Sequence, residues 1–221
     1  IVSEVNEEVS SDSESIEHGI ENSDRHTLYR TEAEFIDEKT IKVDDEEITA
    51  ETIFVAAGTR PFVPPIDGLE EVDYLTSKEA LKLEEQPEEM VIIGGGYISS
   101  ELAHFYSSMG TDVTIIERGD KLVKREDREV SERFTELAEE KWELALGMSA
   151  SRVEENGDGW IKVVAEDGDG NKEEYWGEEL LVAAGRVPNT DSLKVAEAGI
   201  ETDERGFVET DEYLETNVDG I

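Results

Sequence analysis

The sequence predicts an α/β fold in which one domain is inserted into another, and two observations lead to this prediction. Short apolar runs typical of buried strands alternate with segments of helical periodicity, most clearly around a glycine turn at residues 94–96. Two similar segments, Val55–Pro61 and Val182–Pro188, stand on either side of that turn, and in each a strand-like run ends in Ala-Gly and is followed closely by Arg and Pro. A chain that leaves a domain and later re-enters it is expected to show such paired connectors.

The composition limits the partners that the chain can have. It holds 58 Asp and Glu against 20 Lys and Arg, which gives a formal net charge of −38 over 221 residues. Such a surface repels phosphate backbones and anionic headgroups, so neither nucleic acid nor a membrane surface is an expected partner. No apolar run reaches the roughly 18 residues of a membrane span, and no targeting pattern opens the chain. We therefore expect a soluble, cytoplasmic protein.

The acid excess runs along the whole chain and predicts a halophilic protein. Despite the charge, 37% of the residues are hydrophobic and come in runs, which favours a folded chain over a disordered one. A salt-rich cell interior would screen the repulsion between acidic side chains, with a screening length of about 3 Å at 1 M salt. An ordinary acidic protein is the alternative.

Several kinds of chemistry are absent from the sequence. It contains no Cys, which excludes a disulfide, a thiolate zinc site and a cysteine nucleophile within these residues. The histidines His18, His26 and His104 stand far apart, so no metal site is predicted.

The first part of the chain reads as a small β-rich region. Residues Ile1–Asp24 are acidic and Ser-rich and fit a helical stripe only loosely. Apolar and β-branched runs predict four strands: His26–Arg30, Ala33–Ile36, Thr40–Val43 and a buried strand at Thr52–Ala57. A short capped helix is expected to begin at Ser77.

The most informative stretch is a strand, a turn, a helix and a second strand. Met90–Ile93 predicts the first strand, a helical stripe runs from near Tyr97 to Met109, and Val113–Ile116 predicts the second strand, closed by Glu117. A Gly-rich turn in a unit of about 30 residues with this order is the context of a Rossmann-like dinucleotide-binding fingerprint.

Each residue type in this unit has a physical role. Gly94 allows the tight turn from strand to helix, and Gly96 lets a pyrophosphate approach the backbone. The helix start offers free N–H groups and the positive end of its dipole to that anion. Ser99 occupies the third glycine position and is small enough for close helix-strand packing. Glu117 can accept hydrogen bonds from ribose hydroxyls.

The type of nucleotide depends on two opposing signals. Glu117 favours NAD, because a carboxylate repels the 2′-phosphate of NADP. Five basic residues follow within eleven positions, namely Arg118, Lys121, Lys124, Arg125 and Arg128. They could bind the extra phosphate, or they could pair with Asp120, Glu126 and Asp127 around a helix start. We expect NAD, with NADP as the alternative.

The remainder of this region predicts one more helix and a series of strands. The helix is expected from about Glu126 to Trp142, on its helical spacing of apolar residues. The predicted strands are Met148–Val153, Trp160–Ala165, Glu174–Trp176 and Leu180–Ala184.

Four motifs together resemble one family in order and spacing. They are Phe54–Pro61, Val91–Glu101, Ala184–Asn189 and Thr216–Ile221. The sequence resembles the flavin-dependent class I pyridine nucleotide-disulfide oxidoreductases, in the group of dihydrolipoamide dehydrogenase, glutathione reductase and mycothione reductase. The resemblance implies a Rossmann-like NAD(P)-binding domain at 87–186, inserted in a partial FAD-binding domain at 1–86 and 187–221.

The resemblance also implies roles for single residues. Those implied to bind a cofactor are Gly94, Gly95, Gly96, Tyr97 and Ile98 at the pyrophosphate, Glu117 at the adenosine ribose, Ala150 near the adenine, Gly185 against the nucleotide, Glu101 near the nicotinamide and Gly58 near the FAD. Arg118, the first residue of the basic cluster, is also expected to bind the nucleotide. No catalytic residue and no metal ligand is expected in these residues.

Parts of the family pattern are missing from these 221 residues. They are the FAD fingerprint with its redox Cys pair, and the dimerisation domain with its catalytic His-Glu pair. We therefore expect a fragment that binds nucleotide without catalysis, from a homodimeric parent enzyme. The resemblance implies that the parent transfers hydride between NAD(P)H, FAD and a redox disulfide, acting on a small disulfide or dithiol. The alternatives are a flavin NADH oxidase or ferredoxin reductase, and a non-catalytic nucleotide-binding module.

Overall fold

A computed structural model describes residues 2–221 of the chain, so Ile1, the first residue of the predicted acidic segment, lies outside the described residues. The helices are α1 (Val2–Glu21), α2 (Ser77–Ala80), α3 (Tyr97–Met109) and α4 (Arg128–Glu139). The strands are β1 (Ala33–Asp37), β2 (Thr40–Val43), β3 (Glu46–Thr49), β4 (Thr59–Pro61), β5 (Glu89–Ile93), β6 (Asp112–Glu117), β7 (Glu143–Leu146), β8 (Ser149–Glu155), β9 (Ile161–Glu166), β10 (Lys172–Gly177), β11 (Glu179–Val182) and β12 (Arg186–Pro188).

The chain divides into two compact units. The first contains residues 61–185 together with residues 2–6, and the second contains residues 7–60 and 186–221. In the described part of the chain, no helix is both long enough and apolar enough to span a bilayer.

A parallel sheet forms the centre of the first unit. Its strand order is β11-β5-β6-β7, with α3 connecting β5 to β6 and α4 connecting β6 to β7. This arrangement confirms the predicted Rossmann-like α/β fold. The side chains of β5 alternate between two cores: Met90 and Ile92 pack with Leu102 of α3, whereas Val91 and Ile93 pack with the apolar face of the second sheet. Such fully buried side chains each contribute about 1.5–3 kcal/mol to folding.

The second sheet of this unit is antiparallel, with strand order β10-β9-β8. Val153, Val163 and Tyr175 are buried on the face that joins the core of Val91 and Ile93. The turn at residues 167–171 is closed by Asp167, whose carboxylate accepts hydrogen bonds from the backbone N–H groups of Asp169 and Asn171. These strands agree with the predicted ones to within two residues.

The second unit contains the meander β1-β2-β3 and the pair β12-β4. Phe35 of β1 is buried in a core with Val195, Ala198, Ile200, Val218 and Ile221. The two similar connectors, which include β4 and β12, meet through two arginines. Arg60 donates two hydrogen bonds to the carboxylate of Asp191, and Arg186 donates to the hydroxyl of Thr59 at 2.6 Å.

Two predicted strands of this unit are wrong. Thr52–Ala57 is irregular, because its backbone forms isolated hydrogen bonds and no ladder with a neighbouring strand. The N–H of Ile53 donates to the carbonyl of Gly220, and the carbonyl of Ala57 accepts from the side chain of Asn189. Phe54 is 90% exposed, which contradicts the predicted buried strand.

Residues 26–30 are also irregular. His26 closes a turn with Ser23 through its backbone and its ring, and Arg30 forms ion pairs with Glu17 and Glu21 of α1. The structure also contains elements that the sequence did not predict. The loosely patterned first segment is a 20-residue helix with no buried residue, and four strands, β3, β4, β7 and β12, were not among the predicted ones.

Candidate functional site

The glycine turn between β5 and α3 is held tightly against the parallel sheet at its first residue. Gly94 has a φ of +111°, and its N–H donates to the carbonyl of Ile116 at 2.8 Å. A Cβ on Gly94 would lie 2.5 Å from the carbonyl oxygen of Ala183. The position therefore needs glycine for the backbone conformation and for the close approach of the neighbouring chain.

Gly95 is fixed through both of its peptide groups. Its N–H donates to Oε2 of Glu117 at 2.7 Å, and its carbonyl accepts from the N–H of Val123 at 2.7 Å. A Cβ on Gly95 would lie 2.8 Å from Glu117 Cγ and from Leu122 Cδ2. The end of β6 and the loop after it therefore set the position of the turn.

Gly96 differs from its two neighbours because the space beside it is open. A Cβ there would meet no atom within 4 Å, and Gly96 is the N-cap of α3 without a capping side chain. Within residues 2–221, the N–H groups of Gly96, Tyr97, Ile98 and Ser99 have no hydrogen-bond acceptor. Free N–H groups at the positive end of a helix form an anion site, so the residues present fit the pyrophosphate of a dinucleotide.

Glu117 lies at the end of β6, and only 14% of its side chain is exposed. Besides the hydrogen bond from Gly95, its Oε1 accepts from the N–H of Gly119 at 2.8 Å and lies 3.6 Å from Lys124 Nζ. The side chain of Lys124 passes through the space that a Cβ on Gly119 would occupy. A carboxylate has about four acceptor sites, so Glu117 keeps capacity for a ribose hydroxyl.

The basic cluster pairs with other acids than Asp120, Glu126 and Asp127, which were one of two alternatives for it, because α4 begins at Arg128 and presents Glu132 to the loop. Lys121 Nζ lies 2.7 Å from Glu132 Oε1, and Arg128 Nε lies 3.6 Å from the same oxygen. The hydrogen bond from Lys121 is the main cause that lowers the pKa of Glu132.

Two cations of the cluster are left free. Arg118 and Arg125 are exposed, and neither forms an ion pair with any residue that the structure describes.

The loop that carries the basic residues is anchored by α4. Leu122 is fully buried, its N–H donates to Thr135 Oγ1 at 3.0 Å, and its carbonyl accepts from Ser131 Oγ at 2.6 Å. Sequence reasoning did not identify this anchor. The available signal was the pair of hydroxyl residues four positions apart on α4, on one helix face.

The other predicted site residues are not joined to the glycine turn by a hydrogen bond. Glu101 lies exposed on α3, and Tyr97 is exposed at its first turn. Ala150 lies on β8, against the core of the antiparallel sheet. Gly185 accepts from the N–H of Phe62 at 2.9 Å, just beyond the Ala183 carbonyl that faces Gly94.

Gly58 belongs to the second unit and has a φ of +66°. Across residues 2–221 there is no cluster of His, Cys, Asp and Glu suited to a metal ion.

A comparison with protein families gives one match over the whole described chain. The family described as "Pyridine nucleotide-disulphide oxidoreductase" matches residues 2–221. This match confirms the resemblance that the four sequence motifs indicated.

Three kinds of enzyme are found among the curated relatives. Mercuric reductase of Staphylococcus aureus is 42% identical over 194 residues, which cover 86% of this chain and 35% of the relative. Mycothione reductase of Mycobacterium tuberculosis is 39% identical over 176 residues, 80% of this chain and 37% of the relative. Dihydrolipoyl dehydrogenase of Haloferax volcanii is 34% identical over 197 residues, 86% of this chain and 41% of the relative. The motifs had not pointed to mercuric reductases.

A solved structure gives the same result for the fold. The Cu(II) complex of the HOCl-induced flavoprotein disulfide reductase RclA from Escherichia coli matches with a TM-score of 0.88 and 29% identity. The match covers 99% of this chain and 50% of that one. The chain therefore spans between about a third and a half of the length of these relatives.

Proposed function

Because this chain belongs to the pyridine nucleotide-disulphide oxidoreductase family, we propose that its first unit binds NAD(H), with the pyrophosphate at the start of α3 and the adenosine ribose at Glu117. The observation that carries this proposal is the row of four N–H groups without an acceptor, at residues 96–99, beside the open space at Gly96. Together they offer hydrogen-bond donors and open space to an anion such as a pyrophosphate.

The remaining roles extend the proposal along the nucleotide. Ala150 would lie near the adenine and Glu101 near the nicotinamide, and Arg118 would contact the nucleotide beside Glu117. Gly185 would lie against the bound nucleotide, supported by the close approach of the preceding residues to Gly94. Gly58 would face the FAD of the whole protein, where its positive φ turns the chain.

For the whole protein we propose an FAD-dependent oxidoreductase that acts with NAD(P)H. When bound, the nicotinamide and the flavin would carry two electrons between NAD(P)H and a redox-active disulfide, which becomes a dithiol on reduction. Residues 87–186 would form the nucleotide domain, and residues 1–86 and 187–221 would belong to the FAD-binding domain. The relatives' names leave the final acceptor open between small disulfides and mercuric ion. We propose a homodimer, as the family resemblance implies.

NAD is the proposed nucleotide, and NADP is the competing one. Glu117 lies at the end of β6, where its negative charge would repel a 2′-phosphate. Lys124 offsets part of that charge, and Arg118 and Arg125 remain available to an anion. Both nucleotides therefore have a physical basis for binding, and NADH has the better one because the carboxylate is in direct contact with the turn.

The test is a direct titration of the chain with NADH and with NADPH in molar KCl, followed by nucleotide fluorescence. We expect NADH to bind more tightly. Tighter binding of NADPH would overturn the choice of nucleotide. Failure of both to bind, to a chain shown by circular dichroism to be folded, would overturn the proposed function itself.

A further inference from the structure

We propose that Glu117 is a positioning residue that holds the glycine turn in its phosphate-binding shape, before any nucleotide is present. This inference rests on the proposed function for its link to NAD(H), but the bracing itself is a property of the nucleotide-free chain. It assigns to the carboxylate a second role besides that of ribose acceptor.

The first step is that one carboxylate joins two separate loops. Oε2 accepts from the N–H of Gly95, in the turn before α3, and Oε1 accepts from the N–H of Gly119, in the loop after β6. The two distances, 2.7 and 2.8 Å, are those of charge-assisted hydrogen bonds. With 14% of the side chain exposed, water competes little for these oxygens.

The backbone N–H groups along the glycine turn differ in whether they have a partner. The N–H groups of Gly94 and Gly95 point to the carbonyl of Ile116 and to Glu117, both at the end of β6. The next four N–H groups along the chain have no acceptor within residues 2–221. Glu117 therefore marks the point where the N–H groups change from internal partners to free ones. Without it, the peptide group between Gly94 and Gly95 would lack the partner that fixes its orientation.

Gly95 also has a second contact, through its carbonyl group. Its carbonyl accepts from the N–H of Val123, a β-branched residue held at a φ of +45°. Such a residue adopts this conformation only where its surroundings enforce it. The adjacent Leu122 supplies that restraint, because Ser131 and Thr135 of α4 bind both of its backbone groups. The turn is thus held through both the N–H and the carbonyl of Gly95, and Glu117 binds the N–H.

The charge of Glu117 is partly balanced by a neighbouring lysine. Lys124 Nζ lies 3.6 Å from Oε1 of Glu117, and its side chain reaches that position only because residue 119 is glycine. The ammonium group offsets part of the carboxylate charge, which would otherwise repel a pyrophosphate at the neighbouring turn. This places a bracing carboxylate close to an anion site at a reduced electrostatic cost.

The experiment compares Glu117→Ala and Glu117→Asp with a matched control, Glu132→Gln. Asp keeps the charge but is one methylene too short to hold both N–H groups. Glu132 binds Lys121 in the same loop and accepts no backbone hydrogen bond. The readout is the hydrogen exchange of the Gly95 and Gly119 amides, measured by NMR in the nucleotide-free chain in molar KCl, with NADH affinity measured in parallel.

We expect both Glu117 variants to exchange these two amides at least tenfold faster than the unaltered chain, while Glu132→Gln leaves them unchanged. NADH affinity should fall at least tenfold in both, including Glu117→Asp, which retains a carboxylate for the ribose. Unchanged exchange together with weaker NADH binding would overturn the proposal and leave Glu117 as a ribose acceptor alone. If the unaltered chain fails to bind NADH but the exchange result holds, the bracing stands and the proposed function falls.

Discussion

Adding one methyl group at Gly94 has an effect that can be estimated from the structure. An L-residue held in the left-handed region costs about 1–2 kcal/mol, and an extra methyl group in a packed interior costs about 1–3 kcal/mol. At Gly94 both costs apply, because φ is +111° and the new Cβ would lie 2.5 Å from a backbone oxygen of Ala183. That oxygen cannot move away freely, since the N–H of Ala183 is bonded to Ile93 at 2.9 Å.

We therefore expect Gly94→Ala to lower the free energy of unfolding by about 2–5 kcal/mol, out of a total of about 5–15 kcal/mol for a typical protein. The matched control lies two residues away. Gly96→Ala places its Cβ in open space at a φ of −84°, so the unfolding free energy should change by no more than about 1 kcal/mol. Its methyl group would occupy the space proposed for the pyrophosphate, so NADH affinity should fall at least tenfold, or about 1.4 kcal/mol.

Urea denaturation in molar KCl, followed by circular dichroism, measures the first quantity, and calorimetric titration with NADH measures the second. We expect a crossed result: Gly94→Ala destabilises the chain, and Gly96→Ala weakens NADH binding. If Gly94→Ala were as stable as the unaltered chain, the close approach to Ala183 would be refuted. If Gly96→Ala bound NADH normally, the location of the pyrophosphate would be refuted.

Four further predictions follow. Ser99→Ala should raise the unfolding free energy by about 1–2 kcal/mol, because Ser99 Oγ is buried without a hydrogen-bond partner and Ala is the better helix former; a lower urea midpoint would contradict this. Burial, together with the charges of Glu178 and Asp73, raises the pKa of Glu179, so its ionisation destabilises the fold at neutral pH. Glu179→Gln should therefore raise the urea midpoint at pH 7, and the gain should vanish below about pH 4, where the carboxyl group is protonated in both states. Thr135→Val should cost about 1–3 kcal/mol in urea denaturation, since it removes the acceptor of the buried N–H of Leu122, whereas Thr114→Val, on the partly exposed β6, should cost less. The melting temperature should rise steeply between dilute buffer and molar KCl, as screening of the −38 charge requires, and a chain equally stable in both would refute the halophilic proposal.

The sequence predicted correctly those parts of the fold whose backbone forms the regular hydrogen bonds of a helix or a sheet. The stretch from β5 to β6 was placed to within about a residue, because a buried parallel strand and an amphipathic helix each impose a period on the side chains. Thr52–Ala57 has the composition of a strand, yet its backbone groups bond to Gly220 and Asn189, which are more than 130 residues away in sequence. No local pattern reports such partners.

The same distinction applies to the candidate site. The spacing of a strand-to-helix turn predicts glycine at 94 and 96, and the structure explains the first, because a Cβ on Gly94 would meet the carbonyl oxygen of Ala183. At Gly96 the structure shows open space, and the pyrophosphate proposed there is the reason for glycine. The contacts of Glu117 with Gly95 and Gly119 depend on how the loop after β6 folds back, which is set by α4 through Leu122. Motif spacing places an acid at the end of β6, but it does not show that the carboxylate is already bound on both oxygens.

The charge distribution decides which interactions can attract a nucleotide to this surface. At molar salt the screening length is about 3 Å. The net charge of the chain therefore repels a pyrophosphate only at contact distance, and an arginine farther away does not attract it. Free N–H groups at the start of α3 act at contact distance and are little affected by salt. Three of the five basic residues in the cluster are held by Glu117 and Glu132. If the pyrophosphate binds as proposed, the helix start would supply most of its attraction, and Arg118 and Arg125 would contribute only where they touch the nucleotide directly.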